Sequence, residues 1–216
     1  VVHLAALVGY PVCKKLPHEA RSTNVVGTRT VLEHAPANAR FINFSTGSNY
    51  GEVLGVCDED TPLNPLSLYG ETKTEAEGLC HAFVAEGLDV TIVRPRTILG
   101  HGRLGIFGIL FDWIADGADV FVLGDGSNRY QFVHADDLAE ACRLAGASAG
   151  PAVFNVGTDR FGTMREGLES LCAHAGTGSR VRSLPAAPAS MAMRAAARLH
   201  LAPFAPYHWI MYSKSL

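Results

Sequence analysis

Short apolar runs alternate along the chain with longer stretches whose apolar residues recur at helical spacing. The first run, Val1–Leu7, is broken only by His3 and bounded by Gly9 and Pro11. Such a run suits a strand buried on both faces of a parallel sheet. In Pro17–Ala35, the residues Val25, Thr28, Val31, Leu32 and Ala35 fall on one side of a helix. Phe41–Phe44 is the next short strand, and Ser45–Pro65 reads as a loop punctuated by Gly47, Gly51, Gly55, Pro62 and Pro65. Ser67–Glu86 carries the clearest helical signature, because Thr72, Ala76, Leu79, Cys80 and Phe83 make one buried stripe.

The alternation continues. Val90–Val93 is a strand closed by Arg94-Pro95, Ile106–Ala115 a helix, Val120–Leu123 a strand and Gly124-Asp125-Gly126 a turn. The Phe107-Leu110-Phe111 and Trp113-Ile114 cluster reads as the core face of that helix. Phe132-Val133 is a short strand before a helix over Asp136–Ala147, whose opening acids suit the positive end of the helix dipole. Val153–Val156 is a strand, and Thr163-x-x-Glu166 is a capping box opening a helix to about Ala175. Val181–Leu184 is a last strand, followed by a helix across Ser190–Leu199 and an aromatic tail from Ala202, with Trp209–Tyr212 as packing residues. Strands alternating with helices predict an α/β fold, a mostly parallel sheet flanked by helices.

Composition narrows the function classes. Of 216 residues, 48% are hydrophobic and 18% charged, which is enough apolar material for a core and excludes a disordered chain. The net charge of −3 offers no basic field for nucleic acid. No run reaches the roughly 18 uncharged apolar residues of a membrane span, and no basic segment precedes the opening apolar run as in a secretion signal. The five cysteines are scattered with no CxxC, which suits reduced thiols in a cytoplasmic protein. The histidines lack metal-ligand spacing, so no metal site is expected.

The candidate chemistry lies in three short pieces: Val2-His3-Leu4-Ala5-Ala6, Phe44-Ser45-Thr46-Gly47-Ser48-Asn49-Tyr50-Gly51, and Tyr69-x-x-x-Lys73. Tyr69 and Lys73, four apart, project from one helix face. An ammonium near a phenol lowers its pKa from about 10 towards neutrality, so the phenol can accept or return a proton. Thr46 adds a hydroxyl at the C-terminal edge of the sheet, where α/β proteins bind ligands. Ala5 and Ala6 are small enough for a flat cofactor to lie against the backbone. Taken alone, the Tyr–Lys spacing is met equally by a surface Lys beside a half-buried Tyr. His3 reads as a satisfied core histidine, His134 as a cap before Asp136-Asp137, and Arg94 as the anchor of a strand end. Arg129 suits either a phosphate clamp or a surface ion pair with Asp125 or Asp136. Arg96 and Arg103, flanking a glycine-rich turn, fit an anionic substrate.

As an ordered set, HLAA, Asn24-Val25-Val26-Gly27-Thr28, STGSNYG, YGETK, Arg94-Pro95 with Gly100, and GDGSNRYQFVHADDLAEA resemble the extended short-chain dehydrogenase/reductase family, in its sugar-nucleotide epimerase/dehydratase branch. The resemblance runs from residue 1 to about 160. It implies a Rossmann-like domain binding NAD, with Tyr69 as acid/base, Lys73 on the cofactor ribose and on the Tyr pKa, and Thr46 as third catalytic member. It places Leu4, Ala5, Ala6, Leu7, Asn24 and Arg96 at the cofactor, and Thr97 and Arg129 near substrate. Residues 1–160 are then an incomplete NAD-binding domain with a substrate-side insertion near 97–130, and 161–216 a partial substrate-binding part. Family members often dimerise through two helices per subunit, here Pro17–Ala35 and Ser67–Glu86, so a homodimer is expected.

Departures sharpen this. The family's Gly-x-x-Gly-x-x-Gly loop, which seats a pyrophosphate on a helix N-terminus, does not occur in this sequence. Nor does the ribose-reading acid, which leaves NADP as an alternative to NAD. At roughly 30 residues per βαβ unit, some 60–70 residues are expected in front of Val1. Dehydratases of the branch carry Asp-Glu where Gly47-Ser48 stand, which argues against elimination of water. The resemblance therefore implies an NAD-dependent epimerase of a nucleotide sugar, working by transient hydride transfer through a keto intermediate. Thr97, where many relatives have Asn, and Arg129, displaced by one residue, favour an alternative: a dehydrogenase or ketoreductase of a non-nucleotide alcohol. A non-catalytic NAD-binding relative is the third reading.

Overall fold

The computed structural model of the chain describes residues 1–53, 55–102, 107–148, 150–185, 187–188 and 191. In chain order, β1 (Val2–His3) leads through α1 (Tyr10–Lys15), α2 (Pro17–Arg21), a π-helical stretch (Ser22–Gly27) and α3 (Thr28–Glu33) to β2 (Arg40–Phe44). A 3-10 turn (Gly47–Tyr50) precedes α4 (Leu68–Ala85), which feeds β3 (Asp89–Pro95) and β4 (Thr97–Leu99). Then come α5 (Phe107–Ala115), β5 (Val120–Leu123), β6 (Phe132–His134), α6 (Ala135–Ala147), β7 (Ala152–Val156), α7 (Met164–Ala175) and β8 (Val181–Leu184). Two compact units result: Val1–Ile98 with Val133–Gly157, and Leu99–Phe132 with the described residues from Thr158 onward.

The first unit is built on a parallel sheet of order β1-β2-β3-β7. Alternation along each strand sorts its core into two layers. Phe41, Val90 and Ile92 pack with Leu32 of α3 and Cys80 of α4 on one face. Ile42 and Val93 pack with Leu138, Cys142 and Ala145 of α6 on the other. Burying each large apolar side chain contributes roughly 1.5–3 kcal/mol. On the α4 face the strands turn polar towards their C-terminal ends, where Asn43 and Ser45 follow Phe41 and Arg94 follows Ile92. Ser67 starts α4 by accepting from the Gly70 N–H at 3.2 Å.

Three readings from sequence need correction here. The strand expected over Val1–Leu7 is only Val2–His3, and it is not buried on both faces: Val2 is 52% and Leu4 61% exposed. Beyond His3 the main chain leaves β2, because the Leu7 N–H and C=O are bonded to the side chain of Asn24. The helix α1 went unread. Gly9 and Pro11 bound the opening run, yet they do not stop a helix here, because Pro is tolerated in the first helical turn. The helix expected over Pro17–Ala35 is α2, the π-helical stretch and α3 in succession.

The second unit pairs β5 with β8 in parallel. Phe107, Leu110 and Ile114 of α5 pack there with Val120, Val122, Tyr130, Met164, Leu168 and Cys172. The Phe107 and Phe132 rings meet edge-on at 5.0 Å. Trp113 faces outward instead of joining this core. Arg103, Ile106, most of the helix expected across Ser190–Leu199 and the aromatic tail lie outside the described residues. Among those described, no helix is long and apolar enough to cross a membrane.

The capping box read at Thr163 opens α7: its hydroxyl accepts from the Glu166 N–H at 3.2 Å, and Glu166 accepts from the Thr163 N–H at 2.7 Å. Gly176 closes the helix in the left-handed region at φ 64°. Thr163→Ala is expected to cost about 1 kcal/mol, read as a lower urea midpoint at unchanged slope. An unmoved midpoint would mean that the box adds nothing.

Candidate active site

The site residues of the first unit gather where β1, β2 and β3 end. Leaving β1, Leu4 and Ala5 are exposed and Ala6 and Leu7 half-buried. Asn24, fully buried in the π-helical stretch, fixes this segment. Asn24 Oδ1 accepts from the Leu7 N–H at 2.8 Å, and Nδ2 donates to Leu7 O and to Thr72 Oγ1, each at 3.0 Å. The Thr72 hydroxyl in turn donates to Tyr69 O at 2.9 Å, so one carboxamide ties the β1 end to the first turn of α4.

At the end of β2, the Ser45 N–H donates to Val93 O at 2.7 Å and holds the exit against β3. Thr46 is buried and caps the following 3-10 turn, its Oγ1 accepting from the Ser48 N–H at 3.1 Å. That bond does not use its hydroxyl proton. Gly47 comes next, and a Cβ there would lie 2.9 Å from Arg96 Nη1. The Arg96 side chain thus packs over the glycine. Gly70, beside Tyr69, is equally confined: a Cβ would lie 2.9 Å from Pro65 Cβ and 3.2 Å from Ser48 O. The absence of a side chain at 70 lets the start of α4 approach the Thr46 turn.

Tyr69 and Lys73 stand on the first two turns of α4, Tyr69 partly buried and Lys73 only 3% exposed. Burial lowers the Lys73 ammonium to about 8, despite the opposing influence of Cys80 and Glu77. Burial, and then the charge of Lys73, hold the imidazole of His3 below its ordinary value. The Thr28 hydroxyl gives its proton to Asn24 O at 2.7 Å, so His3 Nε2, 3.0 Å from Thr28 Oγ1, is the protonated nitrogen. His3 is therefore a bonded, buried histidine. His134 caps α6, accepting from the Asp136 N–H at 3.3 Å.

The structure brings Leu4–Leu7, Asn24, Thr46, Tyr69, Lys73, Arg96 and Thr97 into the first unit. Arg129 belongs to the second, where it donates to Phe161 O at 3.3 Å and lies over the Phe161 ring at 4.5 Å. Sequence reading missed a buried polar network under the site, centred on Glu77 and Arg94. The signal was present. Glu77 follows Lys73 by four residues, on a stripe that otherwise reads as core.

Fold and site define a Rossmann-like α/β protein. The model of the NAD dependent epimerase/dehydratase family matches residues 1–157, and the chain belongs to that family. It is 44% identical over 199 residues to "Uncharacterized protein y4nG" of Sinorhizobium fredii, covering 90% of this chain and 50% of that protein. It is 31% identical to UDP-glucose 4-epimerase of Mycolicibacterium smegmatis, over 77% of this chain and 56% of the relative. The structure of UDP-glucuronic acid 4-epimerase from Bacillus cereus, in complex with UDP-glucuronic acid and NAD, superposes with a TM-score of 0.73 at 28% identity. That match covers 85% of this chain and 62% of that one. The chain spans about half the length of the curated relatives it matches.

The buried Lys73 has a stability consequence. Its folded pKa of about 8 lies below the unfolded value, so the folded state binds fewer protons between the two. The penalty for burying the charge is full below about pH 8 and fades as pH rises towards the unfolded value. Lys73→Met should therefore stabilise the protein at neutral pH, by something on the order of 3 kcal/mol. The gain should shrink at alkaline pH. Denaturant unfolding at neutral and alkaline pH checks both, and a destabilised variant at neutral pH would contradict this account.

Proposed function

We propose that the protein carrying this chain is an NAD-dependent epimerase of a nucleotide sugar. The observation that carries this reading is the placement of Thr46 just past β2 and of Tyr69 and Lys73 on the opening turns of α4, where Gly70 lets the start of the helix approach the Thr46 turn. The relatives that act on nucleotide sugars support it.

The residues present fit the nicotinamide half of the cofactor. Ala5 and Ala6 leave the backbone of the 4–7 stretch open, Asn24 fixes that stretch, and Lys73 brings a cation close to the end of β1. When bound, the nicotinamide supplies the hydride acceptor and donor. Tyr69 takes the proton of the reacting hydroxyl and later returns it. Lys73, mostly protonated at neutral pH, favours the phenolate. The unused hydroxyl proton of Thr46 is directed to the reacting oxygen. At Gly47, where dehydratases of this branch have an acid, there is no side chain, and Arg96 fills the space. This supports epimerisation over loss of water. In this reading the protein is cytoplasmic and forms a homodimer through α2–α3 and α4.

The test uses the protein as its gene encodes it, with NAD⁺ and a panel of neutral and acidic nucleotide sugars. Interconversion of epimers with no net rise in NADH absorbance is expected, and Tyr69→Phe should lower kcat by ~10²–10⁴-fold. Steady NADH accumulation with a plain alcohol would replace the reading with a dehydrogenase. Full activity in Tyr69→Phe would remove Tyr69 from the chemistry.

A further inference from the structure

Beneath the candidate site lies a network of buried polar groups. Glu77, 1% exposed, is its centre. Its Oε1 accepts from the Ser45 hydroxyl, from Asn49 Nδ2 at 2.8 Å and from Arg94 Nε at 3.1 Å. Its Oε2 accepts from Arg94 Nη2 at 2.6 Å. Asn49 Nδ2 also donates to Ser45 Oγ at 2.9 Å. Arg94 Nη1 goes on to the Tyr50 hydroxyl at 2.6 Å and Glu59 O at 3.1 Å, and Tyr50 donates to Asn155 Oδ1 on β7 at 2.8 Å. One carboxylate thus joins α4, the turn after β2 and the end of β3.

Two features tie this to the chemistry. Ser45 directly precedes Thr46, and Glu77 stands one helical turn from Lys73 on the same stripe. We propose that Glu77 is a positioning residue, whose carboxylate locks the Thr46 turn and the Tyr69–Lys73 helix into one arrangement and sustains the charge of Lys73. The groups acting on Lys73 can be named. Cys80 and Glu77 lie on its own helix and His3 on β1. Arg94 of β3 faces Glu77, and Arg21 of α2 is engaged by Glu75 and Glu71 on the outer side of α4. Of these, Glu77 is an acid that holds the Lys73 proton on.

The proposal rests on the function assigned to Lys73 above, so its test has a readout that does not need turnover. In the protein as encoded, the Lys73 side-chain amine is titrated by NMR, its signal assigned by loss in Lys73→Met. Glu77→Gln should move the midpoint down by about one unit, and the alkaline limb of kcat should follow. Ser45→Ala keeps the carboxylate, so it should leave that midpoint in place and lower kcat with little change in KM. Should Glu77→Gln not fold, Ser45→Ala, which keeps every buried charge, carries the test through its kcat. An unmoved midpoint in a folded Glu77 variant, or full kcat in Ser45→Ala, would overturn the proposal. A parent that turns over no nucleotide sugar sinks the epimerase reading, while the titration still decides on Glu77.

Discussion

A carboxylate and a guanidinium cannot be taken out of water singly. Removing one partner of such a pair costs about 3–5 kcal/mol, because the other charge is left buried and uncompensated. In this chain Glu77 and Arg94 are buried together at the level where the sheet changes from apolar to polar. Below them, Cys80 meets Phe41, Val90 and Ile92. Above them, Ser45, Thr46 and Lys73 take over. The pair marks the boundary between the apolar part of α4 that packs on the sheet and the polar part that carries Tyr69 and Lys73. Packing alone could let α4 slide along the sheet by small steps. Two charged groups with matched, directional bonds to the ends of β2 and β3 permit one register.

The price of this arrangement appears at Lys73. The helix stripe that starts as core at Cys80 ends as chemistry at Lys73, within about two turns. Burying that ammonium weakens the fold, and the same burial makes the group responsive near neutral pH. The β1 end shows a related exchange. Its backbone gives up ladder partners after His3 and is held at Leu7 by the side chain of Asn24, with Leu4 and Ala5 exposed between.

Much of the fold was legible. The run Val120–Leu123 is a strand with those bounds, because a short apolar run between turn residues has few other fates; Val181–Leu184, apolar only at its two ends, is also a strand with the expected bounds. The helical stripe of α4 and the capping box at Thr163 were readable for the same local reasons. What escaped was set by distant partners. The opening apolar run looked like a long buried strand, and only the bonds between Leu7 and Asn24 shorten it. The depth at which Lys73 lies was not legible, and Glu77 was not read at all, because a charged residue on a helix defaults to the outside unless its counterpart is known. That counterpart is Arg94, on a strand of its own. The candidate residues Thr46, Tyr69 and Lys73 were picked out through the order of motifs and a family resemblance, which spacing alone would not have supplied.

Cys80 sits at the foot of the same stripe, with no exposed surface, and burial pushes its thiol up to about 12. Thiol reagents attack the thiolate, so this sulfur is chemically silent while α4 is seated. It becomes reactive only when the helix lifts from the sheet. The rate at which Cys80 is labelled is therefore a clock for local opening of α4, which carries Tyr69, Lys73 and Glu77 together. Cys57, less deeply placed in the loop after β2, provides an earlier-reacting reference in the same molecule. A bound ligand that clamps α4 would slow the first clock and could leave the second running. Occupancy of the site could then be followed by alkylation and mass measurement, with no knowledge of the reaction.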